Sequence, residues 1–117
     1  MEEQPNSLRV AVATKGDKGL EDTVSHEFGH AKTFTIIDIQ DGMVKNLEVI
    51  ENPAASLSHG KGPVIAKYLA DMKVNMVISG EVGPGASTML NELKIKILAA
   101  KSGEQVIKVL KINSLIK

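Results

Sequence analysis

An α/β domain with a mixed five-stranded sheet is the fold this sequence predicts, on three observations. Two β-branched runs flank an Asp-Gly pair, the mark of an antiparallel hairpin. Two later apolar runs of strand length alternate with segments whose apolar residues recur at helical spacing. Apolar residues make up 43% of the 117, yet the chain has one Tyr, two Phe and no Trp, so a single aliphatic core must fill the interior.

The elements follow in order. Leu8 to Thr14 (LRVAVAT) reads as a buried strand. Residues 15 to 32 connect it to the next strand over a stretch long enough to carry function, with room for a helical turn. Thr33 to Gln40 is the second strand, Asp41-Gly42 the turn, and Met43 to Glu51 the antiparallel partner, ended by Asn52-Pro53. Pro63 suits the first position of a helix carrying Val64, Ile65, Tyr68, Leu69 and Met72. Asn75 to Ser79 is a short strand. Ala86, Met89, Leu90 and Leu93 mark a second helix. Lys94 to Ala99 is the last strand, and Gly103 to Ile112 a third helix with Val106, Val109 and Leu110 inward. The order β-β-β-α-β-α-β-α ends in two right-handed crossovers that lay helices over the sheet. The first and fourth strands are expected to be parallel neighbours. Residues 1–7 read as a loose tail and residues 8–117 as a single domain.

Composition excludes several classes of function. Fourteen Lys and Arg balance fourteen Asp and Glu. No cationic excess points to nucleic acid or to a membrane surface. The absence of Cys removes disulfides and thiolate ligation from this chain. No apolar stretch is long enough to span a bilayer, and the acidic N-terminus lacks a signal-peptide core. A cytoplasmic protein is expected.

Three loops hold the candidate residues: His26-Glu27-Phe28-Gly29-His30, Ser58-His59-Gly60-Lys61-Gly62-Pro63 and Gly80-Glu81-Val82-Gly83-Pro84-Gly85. The last two run into helices, where free backbone N–H groups and the helix dipole favour an anion. The plainer alternative is that their glycines only turn the chain and their prolines only start helices. Neither loop matches a phosphate-loop consensus. All three histidines, His26, His30 and His59, fall in these loops, and neutral imidazole is a common metal ligand. A solvated loop histidine is the bland alternative. Catalytic motifs are missing: there is no cysteine nucleophile and no Gly-x-Ser-x-Gly elbow. Asp17, Glu21, Asp22 and Glu27 read as a solvated acidic face, and Met72, Met76 and Met89 as core.

Taken together, Val24-Ser-His-Glu-Phe-Gly-His-Ala31 and Phe34 resemble the Val-x-x-His-Phe-Gly-x-Ala-x-x-Phe pattern of the nitrogenase iron–molybdenum cofactor biosynthesis family. Asn52-Pro53, His59-Gly60, Gly62-Pro63, Gly80, Gly83-Pro84 and Leu93–Ile97 fall where that family has them, so the resemblance runs from Leu8 to Lys117. It implies a ribonuclease-H-like three-layer fold. It also implies carriage of metal–sulfur clusters, either iron–molybdenum cofactor precursors or molybdenum–copper–sulfur clusters. At the family's Phe-preceding histidine this chain has Glu27, and carboxylate suits harder metals than a sulfide-bridged cluster offers. Either a neighbouring histidine substitutes or this member binds something else.

The expected function is therefore that of a non-enzymatic binding or carrier protein for a small anionic metal–sulfur cofactor. Its site would comprise His26, His30, His59, Gly60, Gly62, Gly83 and Gly85, with His30 and His59 as metal contacts. A protein that donates or accepts the cofactor is the implied partner. The alternative is a regulatory or interaction domain that binds a phosphorylated metabolite or a protein through the same loops. A ribonuclease-H-like nuclease fits poorly, because Leu8–Thr14 contains no carboxylate to hold a catalytic metal.

Overall fold

The computed structural model describes residues 7–117. Five strands form one sheet in the order β3-β2-β1-β4-β5. The strands are β1 (Ser7–Thr14), β2 (Thr33–Gln40), β3 (Met43–Glu51), β4 (Met76–Ser79) and β5 (Lys96–Ala99). The helices are α1 (Lys61–Asp71), α2 (Pro84–Glu92) and α3 (Val106–Ile112). β1 pairs antiparallel with β2 and β2 with β3, whereas β1–β4 and β4–β5 are parallel. A 3-10 turn at Gly19–Glu21 occupies part of the long connection after β1. Ser7, assigned on sequence grounds to the tail, belongs to β1 because the ladder extends to its pairing with Gln40. The rest of that tail lies outside the described residues.

Both sheet faces are covered, which is why β1 and β2 are buried at most of their positions, on both faces. Ala11, Ala13, Ile36 and Val77 pack under α1 and α2 with Ile65, Leu69 and Leu90. Val10, Val12, Ile37 and Ile78 pack under α3 with Val106, Val109 and Leu110. Positive φ at both Asp41 (54°) and Gly42 (78°) makes the β2–β3 turn the type whose twist matches the strands it joins.

Two helix assignments shift. α1 begins at Lys61, so Pro63 is its third residue rather than its first. Gly60, left-handed at φ 72°, starts the helix, and any residue of the first turn tolerates the missing N–H. Ile65, Ala66 and Leu69 are buried, whereas Val64 and Tyr68 face outward at 43% and 45% exposure. α3 begins at Val106, because Ser102 and Gly103 form a turn and Gln105 bridges to Thr23.

All three helices end alike. After α1, Val74 N–H donates to Leu69 O (3.1 Å) and Lys73 N–H to Ala70 O (2.9 Å). Ile95 and Lys94 make the same pair of bonds back to Leu90 and Asn91, and Leu115 and Ser114 to Leu110 and Lys111. These are Schellman closures, each with an aliphatic residue returning over a leucine. The left-handed residue is Lys73, Lys94 or Ser114, where glycine is usual. That is why Lys94 terminates α2 and does not open β5, as the apolar run had suggested.

Candidate functional site

The carboxyl ends of β1, β3 and β4 meet at one edge of the sheet, and all three candidate loops leave from there. The first loop is held by its main chain and two side chains. Ser25 N–H donates to Ala13 O (2.8 Å) and Phe28 N–H to Glu81 O (2.9 Å). The Phe28 ring is fully buried and meets Phe34 edge-on at 5.4 Å. Asn52 is buried and does more than end β3: its amide donates to Gly29 O (3.1 Å) and Ala31 O (2.8 Å), and its carbonyl accepts from Ala54 N–H (2.8 Å). With Phe28 and Asn52 as anchors, Glu27 and His30 are left at the surface. Asp22 departs from the solvated acidic face expected of it. It is buried and accepts from Lys18 N–H (2.9 Å) and Thr23 N–H (2.7 Å), which shapes the turn before Ser25.

His30, His59, Gly60, Gly62, Gly83 and Gly85 line one cleft of about 400 Å³, together with Glu27, Lys61 and Glu81. The cleft lies between the N-termini of α1 and α2, which touch so closely that a Cβ on Gly62 would stand 2.6 Å from Ala86 Cβ. Neither helix has a side-chain cap at its N-terminus. Pro63 and Pro84 carry no N–H, which leaves Lys61 and Gly62 of α1 and Gly85 and Ala86 of α2 to offer first-turn N–H groups, and both dipoles place partial positive charge at the cleft. A Cβ at Gly60 or Gly83 would find no atom of the described residues within 4 Å. Gly83 has ordinary extended torsions (φ −64°, ψ 164°), so its bare Cα opens space rather than relieving a turn.

Glu27 Oε1 lies 2.8 Å from His30 Nδ1. With Nδ1–H donating to the carboxylate, the His30 Nε2 lone pair is left for a metal, the usual arrangement behind a ligating imidazole. His59 Nδ1 lies 3.2 Å from Ser58 Oγ. His26 is the one chosen residue that does not line this cleft. A parallel bridge joins Glu27 to Glu81, and His26 sits just outside the cleft, beside Gly80, Glu81, Val82 and Ser102.

Sequence reasoning missed Glu81. A carboxylate amid Gly80 and Gly83 was a weak signal, and only the β1–β4 pairing brings it beside Glu27. Asp38, on β2 opposite Arg9, lies at the other end of the sheet, where both its oxygens accept from Arg9, at 2.7 Å from Nε and 3.2 Å from Nη2. Among the described residues, no helix is long and apolar enough to cross a membrane.

Comparison with known proteins agrees with the resemblance. A curated relative, an uncharacterised protein of Methanocaldococcus jannaschii, is 37% identical over 79 residues, covering 68% of this chain and 67% of that one. The apo form of the orange protein from Desulfovibrio gigas superposes with a TM-score of 0.78 at 33% identity, covering 88% of this chain and 83% of its own. The solution structure of a candidate NifB protein from Thermotoga gives 0.74 at 31% identity, covering 92% and 88%. The model of the dinitrogenase iron-molybdenum cofactor family matches residues 6–112, and to that family this chain belongs.

Proposed function

We propose that this chain binds and carries a small anionic metal–sulfur cofactor, of iron–molybdenum or molybdenum–copper type, in the cleft between α1 and α2. The observation that carries the reading is the opening of two uncapped helix N-termini, with His30 and His59, onto one glycine-lined space. The donor set suits such cargo. Backbone N–H groups of the glycine loops meet sulfide or oxide charge, and imidazole Nε2 matches the metals better than carboxylate does. Without cysteine no thiolate anchors the cargo and it is held largely non-covalently, which favours release to an acceptor protein. No catalytic step is assigned to the chain. The ribonuclease-H-like description of the fold belongs to the same proposal, supported by the β3-β2-β1-β4-β5 order with three antiparallel strands followed by two parallel ones.

Anaerobic mixing with tetrathiomolybdate, followed by gel filtration, tests the reading. A charge-transfer band should travel with the protein. The double variant His30→Ala/His59→Ala should bind at least ten-fold more weakly, a larger loss than Glu27→Ala causes. Colour that elutes wholly with the small molecules overturns the proposal.

A further inference from the structure

His26, Glu27 and Glu81 each present one ligand atom, and the three atoms lie within 4.8 Å of one another. Residues far apart in the sequence meet here because β1 and β4 are parallel neighbours whose following loops bridge at Glu27 and Glu81. Their backbones are pinned. Glu81 N–H donates to His26 O (2.6 Å), Phe28 N–H to Glu81 O (2.9 Å) and Gly80 N–H to Ser25 O (3.1 Å). The side-chain heads remain accessible: His26 and Glu81 are exposed and Glu27 is half-buried.

One imidazole nitrogen and two carboxylate oxygens, with no sulfur, make a donor set for a divalent cation of borderline hardness. Zinc bonds of about 2.0–2.2 Å place tetrahedral ligand atoms about 3.3–3.6 Å apart. Small rotations of exposed side chains close the present spacing to that. Glu27 has two oxygens, of which Oε1 pairs with His30, so the carboxylate can serve both partners. The cleft supplies a reason for a cation. Glu27 and Glu81 both line it, against a single lysine, Lys61, and two carboxylates oppose the entry of an anion.

We infer that His26, Glu27 and Glu81 bind a divalent transition-metal cation at the rim of the cleft, with water completing the shell, and that the cation offsets the carboxylates facing the anion site. The cation site stands on its own geometry; the coupling rests on the anion-binding reading.

Titration of the full chain with Co²⁺ alone, read by visible absorption and calorimetry, tests the site. One equivalent should bind with a d–d band. His26→Ala and Glu81→Gln should each weaken it at least ten-fold without moving the thermal melt, and Glu48→Gln on β3 should leave it unchanged. No stoichiometric binding, or unchanged affinity in both site variants, overturns the site whether or not thiomolybdate binds. Protein preloaded with one equivalent of Zn²⁺ and freed of excess should bind tetrathiomolybdate at least ten-fold tighter than metal-free protein, and Glu81→Gln should show no such gain. Equal affinity with and without Zn²⁺ overturns the coupling. A chain that takes Co²⁺ but no thiomolybdate supports the cation site and removes the cofactor reading.

Discussion

Gly80 packs against the main chain of His26 so closely that a Cβ on Gly80 would stand 2.2 Å from the His26 carbonyl oxygen. The atoms it would strike are backbone, as is the Ser25 carbonyl oxygen at 2.7 Å, so no rotamer change relieves the clash. Gly80→Ala should therefore push the β4 loop off the first loop and destabilise the fold by about 2–3 kcal/mol, in the range of overpacking in tight sites. Urea denaturation measures it. A loss below about 0.5 kcal/mol would mean that the two loops are not held together as described.

Gly83 makes the opposite case. Its torsions suit any residue, and a Cβ there meets no atom of the described residues within 4 Å. Gly83→Val should cost no more than about 1 kcal/mol, the preference of an N-cap for glycine over valine. It should also place two methyl groups at the mouth of the cleft and weaken tetrathiomolybdate binding at least ten-fold. Parallel melts and gel-filtration binding separate the two effects. Unimpaired binding would show that the anion does not use the N-terminus of α2.

Lys94 closes α2 in a left-handed conformation at φ 63°, a region glycine enters without steric penalty. Lys94→Gly should stabilise the protein by about 0.5–1 kcal/mol, because relief of the left-handed strain outweighs the added freedom of the unfolded chain. Lys73→Gly should act alike, and the two should add, since each serves a separate helix end. Destabilisation by either would argue against a Schellman closure there.

Arg9 and Asp38 form a two-point pair at the far end of β1 from the cleft, and Arg9 Nη1 also donates to Met72 O (2.6 Å). Hydrogen bonds from Arg9, and then its charge, hold the Asp38 carboxyl below its usual 3.8. A carboxylate with a lowered folded-state pKa contributes stability above its unfolded value, and that contribution is lost as pH falls through the folded one. The pair is about one-third exposed (37% and 30%), so screening limits its worth. Asp38→Asn should cost about 0.5–1 kcal/mol at neutral pH. That gap should close below pH 4 as the parent is protonated. Urea midpoints across pH 2 to 7 provide the measurement, and a gap that stays constant would remove Asp38 ionisation as its cause.

The sequence alone determined the strands and their chemistry where pattern and turn agree. Thr33–Gln40 and Met43–Glu51 stand at the bounds read from β-branching and Asp41-Gly42, because local torsional preference and alternation act over a few residues. It also pointed to the three glycine and histidine loops, since Gly60 and Gly83 immediately precede helices. It misplaced the starts of α1, α3 and β5. A proline tolerates any first-turn position, and a lysine in a left-handed cap looks like any other lysine. Tertiary structure alone decided which residues share a space. The parallel pairing of β1 with β4 joined Glu27 to Glu81 and left His26 outside the cleft that His30 and His59 line, and the packed loops buried Asp22 and Asn52 as supports. Such pairings depend on contacts between segments more than fifty residues apart. No local pattern encodes them, because they form only when both faces of the sheet are buried at once.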